Sequence, residues 1–294
     1  MDFIKTRIRV SGSVFKAVIG GIGAIAVTGF LVQLALSDRN DSAGPLVTGT
    51  LQTQRGEHRR LTLPDGSSAY LNTNTVLRFR YSRLARNIEL VSGEVLLTVN
   101  SGDTRPFSAL SGGFLTRDLS TEFDLRKKST SSIMTVTNGG VRVTSTPLNT
   151  AARAEFDRGS AETASKADRE YHRLDQVEFD ESTGTLHEHP TLTEQDLSQL
   201  LAWQLGRINL NGLSLSDAFA EFSRYARIDT VIYADPSLRS LQTGGEFESG
   251  GFRDFLQLLP AVYHIRYTVK TTADGNTTVT LSRRHGGANR SKGN

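Results

Sequence analysis

Residues 77–90, LRFRYSRLARNIEL, contain the pattern that decides the fold class. Leu77, Phe79 and Tyr81 alternate with two arginines, and a second alternation of apolar and polar residues ends at Leu90. Alternation with a period of two is typical of a strand that has one buried face and one wet face. The stretch therefore predicts two strands separated by a short connection.

Short strands of this kind extend on both sides of the quoted stretch, from 50 to 145, and resume from 171 to 186. Turn signals separate them about every ten residues, a spacing that suits all-β folds. They are Arg55-Gly56, Asp65-Gly66, Ser92-Gly93, Ser101-Gly102, Gly112-Gly113 and Asn138-Gly139-Gly140. We predict a mainly β chain with an all-β domain over 50–186, built as a sandwich, a barrel or a β-solenoid.

One segment of this domain breaks the strand pattern. Residues 146–170 are rich in small and charged residues, and Phe156 is their only aromatic residue. Such a composition provides little apolar surface to bury. We expect a mobile surface insertion.

The last third of the chain has a different pattern of predicted secondary structure, with helices between the strands. Residues 187–206 predict a linker that contains a helix capped by Thr193, and 207–283 predict a small α+β domain in the order β-α-β-β-α-β-β. Its predicted strands include Gln242–Phe247 and Ile265–Lys270, which we regard as candidate sheet edges. Residues 284–294 are expected to be disordered.

The N-terminal part contains an uncharged run, AVIGGIGAIAVTGFLVQLAL, at residues 17–36. A helix of this length spans about 30 Å, the thickness of the bilayer's hydrocarbon core, so we predict a single transmembrane helix. Basic residues dominate the stub 1–16 before it, which places the N-terminus in the cytoplasm and the polar spacer 37–49 outside. The alternative is a cleaved signal peptide, with a small-x-small site at 35–37.

The composition limits the class of protein. The chain has no cysteine, which excludes disulfides and thiolate metal sites. The net charge of +3 comes largely from the two ends, and no internal basic stripe contains interleaved aromatic residues, so nucleic-acid binding is not expected. A basic stub, one span and a cysteine-free exported body are typical of a bacterial inner-membrane protein that faces the periplasm.

A series of motifs in a fixed order resembles the FecR family of membrane-spanning regulators of cell-surface signalling. In the β domain the motifs are Arg55-Gly56-Glu57-His58-Arg59, Leu63-Pro64-Asp65-Gly66-Ser67, Tyr70-Leu71-Asn72, 86–90, Ser92-Gly93-Glu94 and Arg105-Pro106-Phe107. Further on they are Trp203, Gly206, Leu215 and Glu221-Phe222-Ser223-Arg224-Tyr225. The C-terminal domain is similar to the short N-terminal (STN) domain of secretins and TonB-dependent transducers.

This resemblance implies a relay between two membranes. The periplasmic part would bind the signalling domain of an outer-membrane TonB-dependent transducer, and a cytoplasmic domain would bind an extracytoplasmic-function (ECF) sigma factor. Only 16 residues precede the predicted span, so the family's cytoplasmic anti-sigma domain has no counterpart. Direct sigma-factor binding is therefore not implied. The alternatives are a mis-set gene start, a separate anti-sigma protein, or a member that works only outside.

The sequence offers few groups for catalysis, and no cofactor is expected. Some family members are cleaved at a Gly-Thr bond, where this chain has Ser120-Thr121; serine lacks the permissive backbone of glycine, so cleavage is not expected. His187-Glu188-His189 lacks a third metal ligand and is interpreted as a solvated linker. Asp65 is interpreted as a turn residue. Glu57 and Glu94 are interpreted as exposed partners of Arg59 and Arg86.

The leading functional hypothesis is a non-enzymatic signal regulator that binds a transducer by strand addition at an edge of the C-terminal domain. The candidate partner-binding residues are Gln242, Gly244, Phe247, Ile265, Tyr267, Val269 and Trp203. One alternative is an envelope scaffold made of the same domains. Another is a periplasmic hydrolase, which would need convergent carboxylates or a nucleophile with a base.

Overall fold

The computed structural model describes residues 31–35, 46–118, 121–145, 156–157 and 169–283. The chain divides into two compact units, Met1–Leu197 and Ser198–Asn294. The chain is mainly β, as predicted from the sequence.

The first unit contains fourteen described strands joined in one hydrogen-bonded network. They are β1 (Leu31–Ala35), β2 (Leu46–Gln52), β3 (Arg59–Thr62), β4 (Ser68–Leu71), β5 (Val76–Tyr81), β6 (Arg86–Thr98), β7 (Phe107–Ser111), β8 (Phe114–Asp118), β9 (Glu122–Lys127), β10 (Ser131–Asn138), β11 (Gly140–Ser145), β12 (Arg169–His172), β13 (Gln176–Asp180) and β14 (Thr185–Glu188). The predicted alternation around Phe79 corresponds to β5 and the start of β6.

The long strand β6 belongs to two sheets. Its first half pairs with β5 and β7, and its second half pairs with β4 and β9. Gly93 lies at the change of partners with a φ of 87°, and an added Cβ there would lie 2.5 Å from Thr75 Cα. Only glycine fits this position, because both the backbone conformation and the space exclude a side chain.

The two sheets enclose one apolar core, as in a sandwich. Leu77, Phe79 and Ile88 come from one sheet, and Val95 and Phe123 come from the other, all in the same buried cluster. Later strands contribute to this core as well, because Met134 of β10 pairs with Val177 of β13. Burial of these side chains is the main source of stability in a unit that has no disulfide.

The second unit follows the predicted β-α-β-β-α-β-β order. Its elements are β15 (Arg207–Asn209), a helix Leu215–Tyr225, β16 (Thr230–Tyr233), β17 (Glu246–Glu248), a helix Phe252–Val262, β18 (Ile265–Thr271) and β19 (Thr277–Arg283). Helix α1 (Glu194–Leu200) comes before these elements in the chain. The helix Leu215–Tyr225 is therefore α2, and the helix Phe252–Val262 is α3. Short 3-10 helices cover Leu201–Leu205 and Pro236–Ser240. The strands form a β15–β17 pair and a sheet in the order β16-β19-β18.

Five aromatic side chains fill much of the core of the second unit. Phe219 and Phe222 of α2 meet Phe252 and Phe255 of α3, and Phe247 of β17 packs against the same group, with ring centroids 5.0–5.9 Å apart. Edge-to-face and tilted contacts at these distances are favourable for aromatic pairs. The cluster fixes the position of α3 within the unit.

The predicted transmembrane helix over 17–36 is wrong at Leu31–Ala35, which form β1 and pair antiparallel with β2. An apolar run without a polar face has no periodicity that separates helix from strand, and the edge of β2 offers backbone partners. The rest of that prediction, with the stub 1–16, lies outside the described residues. No helix in the described ranges is long and apolar enough to cross a membrane.

Two predicted boundaries also change. The spacer 37–49 is shorter than predicted, because β2 begins at Leu46. The linker 187–206 begins later, because β14 includes His187 and Glu188, which pair with β13. The tail 284–294, for which the sequence predicts disorder, lies outside the described residues.

The insertion 146–170 is described only at its Phe156-Asp157 step and at 169–170, which belong to β12. Phe156 is 3% exposed and packs with Leu110 and Leu115, and its carbonyl accepts a 3.0 Å hydrogen bond from Asn87 Nδ2. The prediction of a mobile surface segment is therefore wrong at Phe156. Burial of a large aromatic side chain contributes more free energy than the polar segment loses in conformational entropy when it is fixed at one point.

Candidate functional site: the β18 edge and its groove

Strand β18 lies at the edge of the three-stranded sheet. It pairs antiparallel with β19 along its whole length, from Ile265 with Arg283 to Thr271 with Thr277. No other strand in the described ranges pairs with it. Its second edge can therefore accept backbone hydrogen bonds from another chain.

A groove of about 480 Å³ lies between α3 and the sheet next to this edge. Its apolar lining comes from Phe252 and Leu256 of α3 and from Tyr267 and Val269 of β18. Its polar lining comes from Arg227, Arg253, Gln257 and Thr277. The volume falls within the range of protein pockets that accept small molecules or side chains.

The groove exists because burial decreases along β18. Ile265 is 1% exposed and belongs to the core, Tyr267 is half-buried, and Val269 is 43% exposed. These side chains share one face because residues two apart on a strand point the same way. The far end of β18 thus leaves apolar surface uncovered beside α3.

Basic side chains surround the same edge. Arg266 and Lys270 lie on the other face of β18, and both are exposed. Neither forms an ion pair with any described residue, and the same is true of Arg253 on α3. Arg227 lies 4.0 Å from Asp229 and makes 3.3 Å hydrogen bonds to Asp274 O and Asn276 Oδ1. The edge therefore has an excess of positive charge.

The structure places Ile265, Tyr267 and Val269 together on this edge. The groove's residues on α3, which are Phe252, Leu256 and Arg253, were not predicted from the sequence. The periodicity of α3 was recognised, but a pattern within one helix does not reveal which strand lies beside its exposed apolar residues.

The second predicted edge, Gln242–Phe247, is not a continuous strand. Gln242 makes an isolated bridge with Ser214, Gly244 N donates a 3.1 Å hydrogen bond to Tyr263 Oη, and only Glu246 and Phe247 lie in β17. The reason is Gly245, whose φ of 104° interrupts extended pairing. Phe247 packs in the core cluster, and Gln242 and Gly244 lie in a loop.

Trp203 does not offer a contact surface. It lies in the 3-10 helix Leu201–Leu205 and is 4% exposed. A partner could not reach this indole without unfolding that segment. The prediction that Trp203 binds a partner therefore finds no support in its position.

The Ser120-Thr121 bond lies at the limit of the described residues, since Ser120 falls outside them. Thr121 is 7% exposed, directly before β9, and its carbonyl accepts a 3.0 Å hydrogen bond from Val99 N. This is the environment of a β-branched residue at a strand end.

The His187-Glu188-His189 segment has separate partners for each side chain. His187 Nε2 is 3.0 Å from Thr185 Oγ1, His189 Nε2 is 3.3 Å from Glu178, and Glu188 accepts a 3.1 Å hydrogen bond from Tyr171 Oη. No group of three or more potential metal ligands occurs in the described part of the chain.

A buried charge cluster lies at one end of the β domain. Asp65 pairs with Arg86 at 2.9 Å, with side chains 0% and 4% exposed, and also accepts hydrogen bonds from Ser67. Asp65 is the turn residue that the sequence predicts, since its Oδ1 accepts a hydrogen bond from Ser67 N, but the ion pair with Arg86 was not predicted. Its carboxylate is needed inside because a buried guanidinium requires a partner.

The sequence also predicts arginine partners for two glutamates. Glu57 pairs with Arg59 at 3.6 Å, as predicted. Glu94 was predicted to be an exposed partner of Arg86, which is wrong: it is 2% exposed and accepts a 2.6 Å hydrogen bond from Asn72 Nδ2. The side chains of Arg86 and Glu94 fall on different parts of β6, and Asp65 meets Arg86 instead.

A second groove, of about 550 Å³, opens beside this charge cluster. Asp103 and Arg105 line it, and the hydrogen bond from the Arg105 side chain lowers the pKa of Asp103 from its usual 3.8 to about 2. Arg142 in the same groove pairs with Glu170 at 3.1 Å. These cations are matched by acids within the domain, in contrast to those around β18.

The comparisons with known proteins concern both units. The family model described as FecR protein matches residues 49–142, from β2 to β11. Crystal structures at 2.50 and 1.65 Å of a candidate anti-sigma factor from Parabacteroides distasonis ATCC 8503 are similar, with TM-scores of 0.59 and 0.58. Each is 19% identical and covers 98% of that chain and 79% or 80% of this one. At this identity the likeness concerns the fold. No curated protein matches the chain.

Proposed function

Because residues 49–142 match the family model described as FecR protein, we propose that this protein is a signal regulator that acts by binding other proteins and not by catalysis. One observation supports a specific binding mode, namely the unpaired edge of β18 beside an apolar groove. An added strand would make main-chain hydrogen bonds to β18, and its alternate side chains would enter the groove.

The proposed partner is the signalling domain of an outer-membrane TonB-dependent transducer. The signal would pass towards an ECF sigma factor through a separate anti-sigma protein. The similarity to a candidate anti-sigma factor supports the sigma-factor side of this proposal. The βαββαββ order of the second unit supports its kinship with STN domains.

The proposed location is the bacterial inner membrane, with the N-terminus in the cytoplasm and the bulk of the chain in the periplasm. The uncharged run that starts at residue 17, preceded by basic residues, supports this orientation. The absence of cysteine from the whole sequence is compatible with an oxidising compartment.

The binding mode can be tested with a matched pair of substitutions at the two edges of one sheet. Val269 of β18 is 43% exposed and Ile232 of β16 is 47% exposed, so neither replacement disturbs the core. The full chain, as wild type, Val269→Glu or Ile232→Glu, is titrated with the signalling domain of a transducer encoded beside its gene. We expect Val269→Glu to weaken binding by about tenfold, because a charge then lies in the apolar groove.

Ile232→Glu should leave the affinity unchanged within about twofold, a difference well below 1 kcal/mol. Equal affinities for all three proteins would contradict strand addition at β18. Loss of binding only with Ile232→Glu would move the site to the opposite edge. Absence of binding by the wild type would overturn the proposed function itself.

A further inference from the structure

The charged side chains around β18 indicate which residue types a bound strand would need. Arg266 and Lys270 are exposed on one face of β18, whereas Tyr267 and Val269 line the groove on the other. An added strand places each of its residues opposite one residue of β18, with side chains that alternate between the same two faces. The sequence of basic and apolar side chains along β18 therefore determines which type of side chain suits each position of the partner strand.

The required order can be read directly from the spacing. The partner residues opposite Arg266 and Lys270 are four apart and lie on the basic face. Those opposite Tyr267 and Val269 lie between them, two apart, and point towards the groove beside α3. The residue opposite Thr268 faces solvent. This order reads the same in both chain directions, so it holds for parallel and antiparallel addition.

The basic side chains that would meet the partner have no competing acid among the described residues. Arg266, Lys270 and Arg253 form no ion pair with any of the residues that the structure describes. An exposed cation on an edge strand discourages pairing with a second copy of the same basic strand. The same cation favours a strand with carboxylates at the opposing positions, since opposite charges stabilise cross-strand pairs.

We propose that the β18 edge selects a strand with the pattern acid–apolar–any–apolar–acid in the partner protein. This inference rests on the proposed function and adds the chemical class of the segment recognised. The apolar pair would fill the groove lined by Phe252 and Leu256, and the two acids would pair with Arg266 and Lys270. The pattern can be sought in the sequence of any candidate transducer.

The first test reverses the two charges in the full chain. The double variant Arg266→Glu, Lys270→Glu is compared with a control that has the same change in net charge, Arg55→Glu, Arg83→Glu. Arg55 and Arg83 are exposed residues of the β domain and form no ion pair among the described residues. We expect the first variant to bind the transducer domain about tenfold more weakly, and the control to bind like wild type.

The second test uses short labelled peptides and fluorescence anisotropy. One contains Glu-Val-Thr-Val-Glu, the second has lysine in place of both glutamates, and the third is the rearrangement Val-Glu-Thr-Glu-Val. The first should bind wild type best, and the charge-reversed protein should prefer the lysine peptide. The third has the same composition but directs its acids away from Arg266 and Lys270 and its valines away from Phe252 and Leu256, so it should bind more weakly.

The outcomes separate this inference from the proposed function. Undiminished binding of the transducer domain by the charge-reversed variant would overturn the acidic pattern, while strand addition would still be supported by Val269→Glu. Equal binding of the first and third peptides would also overturn it. Failure of the wild-type chain to bind the transducer domain would instead overturn the proposed function.

Discussion

At the scale of single residues, the β domain depends on an ion pair that is closed to solvent. The guanidinium of Arg86 contacts Asp65 at 2.9 Å, donates from Nε to Arg105 O at 2.9 Å, and lies 5.3 Å from the ring of Phe107. A buried pair of this kind adds little stability over an apolar pair, but removal of one partner leaves an uncompensated charge.

We therefore expect Asp65→Asn to lower the free energy of unfolding by about 3 kcal/mol, because Arg86 would remain charged and buried. Denaturant unfolding followed by circular dichroism measures this value. Replacement of both members, Asp65→Asn with Arg86→Met, should recover at least about 1 kcal/mol. As a control, Glu57→Gln removes the exposed ion pair with Arg59 but keeps an oxygen that can accept the hydrogen bond from Gln54 N, so it should change stability by less than about 0.5 kcal/mol. Similar losses from Asp65→Asn and Glu57→Gln would contradict the role of burial.

A second residue-scale prediction concerns acid pH. The hydrogen bond from the side chain of Arg105 lowers the pKa of Asp103 to about 2 in the folded state, against 3.8 otherwise. The folded state therefore favours the carboxylate, so Asp103 stabilises the protein above about pH 4 and loses this contribution as the pH falls towards 2. Wild type should exceed Asp103→Asn by about 1 kcal/mol at neutral pH, and this difference should shrink below about pH 4. A difference that is independent of pH would contradict the ionic origin.

At the scale of elements, helix starts are set by local chemistry. Ser214 caps α2: its Oγ accepts a 3.1 Å hydrogen bond from Asp217 N and donates to the Asp217 side chain at 2.6 Å. Thr193 and Asp196 make the same exchange at the start of α1. The Thr193 cap was predicted from the sequence, because threonine is among the residues preferred at a helix start.

We expect Ser214→Ala to destabilise the second unit by about 1 kcal/mol, because the first turn of α2 loses its cap. Ser223 on the same helix serves as the control, since its Oγ only donates back to Ala220 O at 2.8 Å. Ser223→Ala should be neutral or slightly stabilising. Fluorescence of Trp203, the only tryptophan, reports unfolding of this unit. Equal effects of the two substitutions would contradict the capping role.

Features that depend on neighbouring residues could be predicted from the sequence, whereas contacts between residues far apart along the chain could not. The turn at Asp65-Gly66 was recognisable from two adjacent residues, but the partner of its carboxylate, Arg86, lies 21 residues away. The strand Ile265–Lys270 was recognisable from alternation, but the groove beside it requires α3 in place. Local propensity and periodicity are present in any window of sequence, whereas pairing between elements depends on the whole fold.

Two predictions are wrong because contacts with residues distant in sequence decide the structure. The apolar character of Leu31–Ala35 predicts part of a helix, but the segment pairs with β2 as a strand, and this partner is not visible from the run itself. Phe156 was assigned to a mobile segment because its neighbours in sequence are polar, although Leu110 and Leu115 offered it an apolar contact. In both cases a tertiary contact prevailed over composition.

At the scale of the whole molecule, the proposed topology makes a direct prediction. A C-terminal alkaline phosphatase fusion of the full chain should be active in a bacterial host, and a C-terminal fluorescent protein that folds only in the cytoplasm should stay dark. The reason is the excess of basic residues before the uncharged run, which keeps the N-terminus inside. A bright cytoplasmic fusion with an inactive phosphatase would contradict the proposed location.

The shared strand β6 has a practical consequence for dissection of the protein. Its second half pairs with β9, which pairs with β10, and β10 in turn requires β13 to cover Met134. A fragment that stops at residue 142, where the family match ends, would expose that methionine and a long unpaired strand. The smallest expressible piece of the first unit must therefore reach Glu188, beyond the point at which recognition by sequence stops.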